Sequence, residues 1–149
     1  MLKRTGFVVM AAGCSLMMLA ACSTADRVHK TDNGADNGAR QYEGFGNYAR
    51  AITTDSREAQ AWFDQGIQLM YGFNHDEAIR SFEKAAEVDP SAAMAWWGVA
   101  YCQGININDP AMTEERSQKA RAAADKAIAA LDDESEVERA LVHAVSARY

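Results

Sequence analysis

The sequence predicts an all-α fold of antiparallel helix-turn-helix repeats, preceded by a signal peptide and a flexible tether. Three observations carry this expectation. Apolar and small residues recur at helical spacing through most of the chain after Arg57. Two tryptophan-led segments start at Trp62 and Trp96, 34 residues apart, as they would if one helical unit recurred. The 149 residues with 48% apolar content provide for one globular core but not for two large domains.

The chain opens on MLKRTGFVVMAAGCSLMMLAAC. Lys3 and Arg4 precede a run of roughly 14 apolar or small residues, the layout of an export signal and too short for a stable spanning helix. Residues 1–21 therefore read as a signal peptide. Its end, Leu19-Ala20-Ala21-Cys22, resembles the lipobox of bacterial lipoproteins. That resemblance implies that Cys22 becomes the first residue of the mature chain. Its sulfur takes a diacylglycerol and its freed amine a further acyl chain, since stable anchoring needs more than one chain. Ser23 after the cysteine resembles the pattern sorted to the outer membrane, so the expected place is the bacterial envelope, lipid-anchored and facing the periplasm. Cys14 leaves with the signal and Cys22 is modified, which leaves Cys102 unpaired and rules out a disulfide framework. Cys102 reads as a small apolar core residue. Loss of Lys3 and Arg4 makes the formal net charge of −6 two units more negative, which argues against a nucleic-acid partner.

Residues 22–50 are Gly-, Asn- and Asp-rich and read as a flexible tether, with Tyr42, Phe45 and Tyr48 as aromatics that pack onto the domain as a flap. The repeat domain is expected over residues 51–149. Asp55 or Ser56 caps a first helix in which Ala59, Trp62, Phe63, Gly66, Ile67 and Met70 share one face. A second series, Ala78, Ile79, Phe82, Ala85 and Ala86, stops at Asp89-Pro90, because the residue before proline is pushed out of the helical region. Ala93, Trp96, Trp97 and Ala100 begin a third helix. An insertion, QGININDPAMTEERS, separates it from a fourth that carries Ala120, Ala123, Ala124, Ala127, Ile128 and Leu131, with Asp109 or Thr113 as its cap. The acidic turn DDESE suits the start of a fifth helix bearing Val137, Ala140, Leu141, Ala144 and Val145.

On these residues the chain resembles the tetratricopeptide-repeat family. Trp62 stands at its first aromatic position, Gly66 at its small residue, Ala78, Phe82 and Ala85 at the packing positions of its second helix and Pro90 at its terminal proline. Gln65 stands where the family has leucine and Leu69 where it has tyrosine. The resemblance implies an α-solenoid: repeat 1 over 59–92, a degenerate repeat 2 with an insertion over 93–134 and the start of a truncated repeat 3 over 135–149. Solenoids need several units and capped ends, so the chain is expected to be the N-terminal fragment of a longer exported protein. The block from Ala51 to Pro110 also resembles a group of exported bacterial tetratricopeptide-repeat proteins.

His75, Asp76 and Glu77 are successive residues and point about 100° apart on a helix, so they cannot converge on a metal. They read as turn and helix-start residues. His143, with Glu136 and Arg139 as helical neighbours, reads as a surface residue. With no nucleophile-base pair, Gly-rich phosphate loop or HExxH motif, no catalytic residue, cofactor or metal is expected. The functional candidates are aromatic: Trp62, Phe63, Tyr71, Trp96, Trp97 and Tyr101, bordered by Asn106 and Asn108, as a groove for an unidentified protein or peptide. The expected function is thus a membrane-anchored scaffold. The alternative is the helical part of a longer enzyme or ligand-handling protein whose chemistry lies beyond residue 149.

Overall fold

A computed structural model describes residues 38–149. The expected signal peptide 1–21, the lipidation site Cys22 and the tether up to residue 37 lie outside the described residues. Five α-helices follow one another: α1 (Arg57–Tyr71), α2 (His75–Val88), α3 (Ala93–Gln103), α4 (Glu114–Ala129) and α5 (Glu136–Ser146). The described residues hold no strand, only an isolated antiparallel bridge between Asn106 and Asp109. The all-α expectation is met.

Local chemistry sets the boundaries. Ser56, rather than Asp55, caps α1 by accepting from the Ala59 N–H at 3.1 Å. Thr113 caps α4 by accepting from Arg116 N–H, and Ser135 with Glu138 forms a full capping box at α5. At the end of α1 the Phe73 N–H donates to the Met70 carbonyl and the Asn74 N–H to Leu69, a Schellman closure. Its left-handed residue is Phe73, at φ 59°, and not the preceding Gly72.

Each helix packs on the next, α1 on α2 through α4 on α5, and α3 also meets α1 and α5. The helix at the centre, α3, is apolar on nearly every side and buries Ala93, Met94, Ala95, Trp97, Gly98, Val99, Ala100 and Cys102, as a surrounded helix must. Phe82 of α2 is fully buried between two glycines. A Cβ on Gly66 of α1 would lie 2.6 Å from its ring, and one on Gly98 of α3 would lie 2.5 Å from it. Both residues must therefore be glycine for the three helices to meet around one ring. Phe63 packs against the same ring in a tilted arrangement, 5.4 Å between centroids.

The expected tether ends earlier than residue 50. Residues 39–53 form a strap along α1, with Ala39 and Ile52 buried in the core. Its backbone is held by long polar side chains. Gln65 accepts from the Tyr42 N–H at 2.8 Å and donates to the Arg40 carbonyl at 2.7 Å and to Ser81 Oγ at 2.9 Å. Gln68 donates to the Tyr48 carbonyl at 2.7 Å. Asp64 accepts from the Arg50 N–H at 2.9 Å, while Gln60 accepts from the Ile52 N–H and donates to the Arg50 carbonyl. Glu138 of α5 then receives both the N–H and the hydroxyl of Thr53 at 2.8 Å. The strap thus ties the first helix to the last.

Candidate functional site

The groove candidates separate into a buried set and a surface set. Phe63 is fully buried and Trp62 and Trp97 are each 8% exposed, so these three pack the core. The Trp62 Nε1–H is buried without a partner among the described residues. Trp96 is half-buried on another side, where its Nε1–H donates to the Pro90 carbonyl at 3.2 Å and Lys126 Nζ lies 4.1 Å from its ring centroid.

Tyr71 and Tyr101 remain open, 61% and 40% exposed, at the C-terminal ends of α1 and α3. They come together with residues that periodicity does not single out. Tyr48 of the strap meets Tyr71 edge-on at 6.0 Å, and Trp97 backs Tyr101 at 5.3 Å. Burial raises the Tyr71 hydroxyl above its ordinary value, Tyr48 adds to the shift, and the Arg50 cation opposes it. The ends of α1 and α3 are joined through the residues that follow them, where Asn106 meets His75 at 2.8 Å.

The loop between α3 and α4 extends this surface. Asn106 Oδ1 accepts from the Asn108 N–H at 2.9 Å and the Asp109 N–H at 3.2 Å. Its Nδ2 therefore faces His75 Nδ1, 2.8 Å away. Phe73 lies 6.2 Å from the His75 ring and is 57% exposed. Asn108 sits with Ile107 at the tip of the turn, and Ile107 is 85% exposed. Arg116 fixes the loop from α4: it pairs with Asp109 and donates to the carbonyls of Gln103 and Gly104 at 3.1 and 2.9 Å. Arg148, beyond α5, donates to the Ile105 carbonyl at 3.3 Å and lies 5.8 Å from the Tyr101 ring centroid.

Tyr48, Tyr71, Phe73, Tyr101, Ile105 and Ile107 are thus exposed apolar side chains at one end of the helices. Monomeric proteins seldom leave such a set uncovered unless it meets something. Sequence reasoning missed Arg50, Ile105, Ile107 and Arg148 here. Isoleucines inside a polar, Asn-rich insertion were the one available signal.

Other chemistry is sparse. A cavity of about 570 Å³ lies between the starts of α1 and α5 and the ends of α2 and α4, bounded by Thr54, Asp55, Asp89, Asp132, Asp133 and Glu134. Hydrogen bonds from Ser91 and Thr54 hold the Asp89 carboxyl below its usual range. No group of three or more His, Cys, Asp or Glu among the described residues could hold a metal ion. Glu77, read from sequence as a helix-start residue, accepts from the Tyr42 hydroxyl at 2.9 Å and pairs with Arg80. Burial pushes the Cys102 thiol up to about 12, which leaves it without thiolate character at neutral pH. Among the described residues no helix is long and apolar enough to cross a membrane.

No family model, curated protein or solved structure matches the chain.

Proposed function

We propose that this protein is a membrane-anchored, tetratricopeptide-like helical scaffold that binds a protein or peptide partner at the bacterial envelope. The observation that carries the reading is the exposed aromatic and aliphatic surface at the ends of α1 and α3, centred on Tyr71 and Tyr101. Tyrosines offer large, stiff contact area with little rotamer entropy to lose, and such residues dominate binding energy where a partner excludes water from them.

The solenoid reading draws support from the succession of hairpins. Residues 72–74 join α1 to α2, and α1 meets α3 as α3 meets α5, the relation of first helices in successive units. The strap then serves as the cap that the open face of a first unit requires. Gln65, at the place of the family's leucine, is the residue that holds it. The anchor reading rests on Leu19-Ala20-Ala21-Cys22.

Two experiments test the proposal. Cys22→Ala abolishes labelling by an alkyne fatty acid in cells, and retained labelling would contradict the anchor. Tyr71→Asp combined with Tyr101→Asp removes a crosslinked species that the parent chain forms with an envelope protein, while the helical circular dichroism spectrum is kept. An undiminished crosslink would place the partner elsewhere.

A further inference from the structure

We infer that the helix-end surface recognises a protein segment in which an apolar side chain is flanked by carboxylates. The inference rests on the partner-binding reading above and adds the chemistry of the partner.

The chain carries 21 acidic residues against 15 basic ones, yet two arginines of this surface, Arg50 and Arg148, are left unbalanced. Arg50 follows Tyr48 by two residues in the strap, beside the Tyr48–Tyr71 ring contact, and Arg148 lies over the Tyr101 ring and beside the Ile105 carbonyl. Neither has an ion pair among the described residues. Asp109, the carboxylate of the loop, is already taken by Arg116. Tyrosine and arginine without lysine is the composition of protein-binding centres. A guanidinium beside an aromatic ring pairs well with a planar carboxylate, because its fork gives two parallel bonds and the ring holds it in place. The partner therefore supplies negative charge on both sides of what it inserts.

Backbone strain at Phe73 supports the same surface. This residue occupies the left-handed position that closes α1, at φ 59°, where glycine is the favoured residue. A side chain there is strained against its own backbone, and the ring, 57% exposed, recovers little by burial. A local rule broken on an open surface, with no gain in packing, marks a residue kept for contact. Ile107, 85% exposed at the tip of a turn held by Arg116 and Asn106, has the same character.

The test uses the full chain, immobilised, and a random peptide library displayed on phage. Selection on the parent chain is expected to enrich peptides with Leu, Ile, Phe or Trp flanked by Asp or Glu. Enriched peptides should lose binding on Tyr71→Asp/Tyr101→Asp, and by about tenfold or more on Arg50→Glu/Arg148→Glu. All these side chains are solvent-accessible, and a circular dichroism spectrum matching the parent establishes that each variant folds. Enrichment of peptides that need the tyrosines but carry no acidic residues, or that ignore the arginine reversals, would overturn the inference and leave partner binding standing. Failure to enrich any tyrosine-dependent peptide would overturn both. Tyrosine-dependent flotation with phosphatidylglycerol vesicles, without peptide enrichment, would assign the surface to lipid instead.

Discussion

Gly98→Ala is the most informative test of the packing. In an exposed helix this change raises stability by about 1 kcal/mol, since alanine has the higher helix propensity. Here the new methyl would lie 2.5, 2.6 and 2.7 Å from Cγ, Cδ1 and Cδ2 of Phe82. Carbon atoms rest at about 3.5–4.0 Å, so the ring must withdraw by ~1 Å. It has little room to do so: Gly66 lies against Cδ1, Cε1 and Cζ of the same ring and Phe63 packs at 5.4 Å. Overpacking a fixed core costs about 1–3 kcal/mol, and a fully buried ring wedged between two helices belongs at the upper end. Subtracting the propensity gain leaves a net loss of about 2 kcal/mol. Urea unfolding followed by circular dichroism at 222 nm reads this as a midpoint lower by about 1 M at a slope of ~2 kcal/mol/M. Gly66→Ala should fall in the same direction. A midpoint that rises for Gly98→Ala would show that Phe82 is not wedged between α1 and α3, and the arrangement of the three helices would be wrong.

Other expected outcomes follow from the strap and the helix ends. Burial alone would raise the Glu138 carboxyl, but the hydrogen bonds from Thr53 and Ser135 together outweigh it and the group titrates below its usual value of 4.5. Its stabilisation is therefore complete above that value and is lost as pH falls through the lower, folded one. Glu138→Gln should lose about 2–3 kcal/mol at neutral pH and flatten the acid limb of a stability-pH curve; an unchanged curve would remove the strap's tie to α5. Gln65→Leu should release residues 39–50, so limited trypsin digestion at Arg40 and Arg50 should accelerate several-fold, and equal cleavage of parent and variant would contradict the strap. Phe73→Gly should raise stability by about 1 kcal/mol by relieving the left-handed strain, while weakening the tyrosine-dependent partner crosslink.

The helices were legible in the sequence because a 3.6-residue period is a local signal that burial writes directly. Phe82, Gly66 and Ala78 could be placed in the core for that reason, and the Asp89-Pro90 stop marks the end of α2. The strap was not legible. Its bonds join backbone groups to side chains up to 85 residues away, as between Thr53 and Glu138, and such bonds leave no periodic trace. Gln60, Asp64, Gln65 and Gln68 stand outside the apolar series of α1, and periodicity does not show that they hold another segment of chain. For the candidate surface, the sequence supplied aromatic residues but not their placement. Aromatic excess pointed to recognition, yet spacing could not separate Phe63, which fills the core, from Tyr71, which faces out. The distinction depends on which helices surround each ring. Arg148 reaches the surface only through the packing of α5 on α3.

The central claim is that a partner docks on the helix-end surface. Its most direct measurement is photo-crosslinking in intact cells from p-benzoylphenylalanine placed at Tyr71, compared with the same group at Asp133 in the loop between α4 and α5. A discrete adduct is expected from position 71, absent from position 133 and reduced when Ile107 is also changed to Asp. Equal labelling from both positions, or an adduct from position 133 alone, would contradict it.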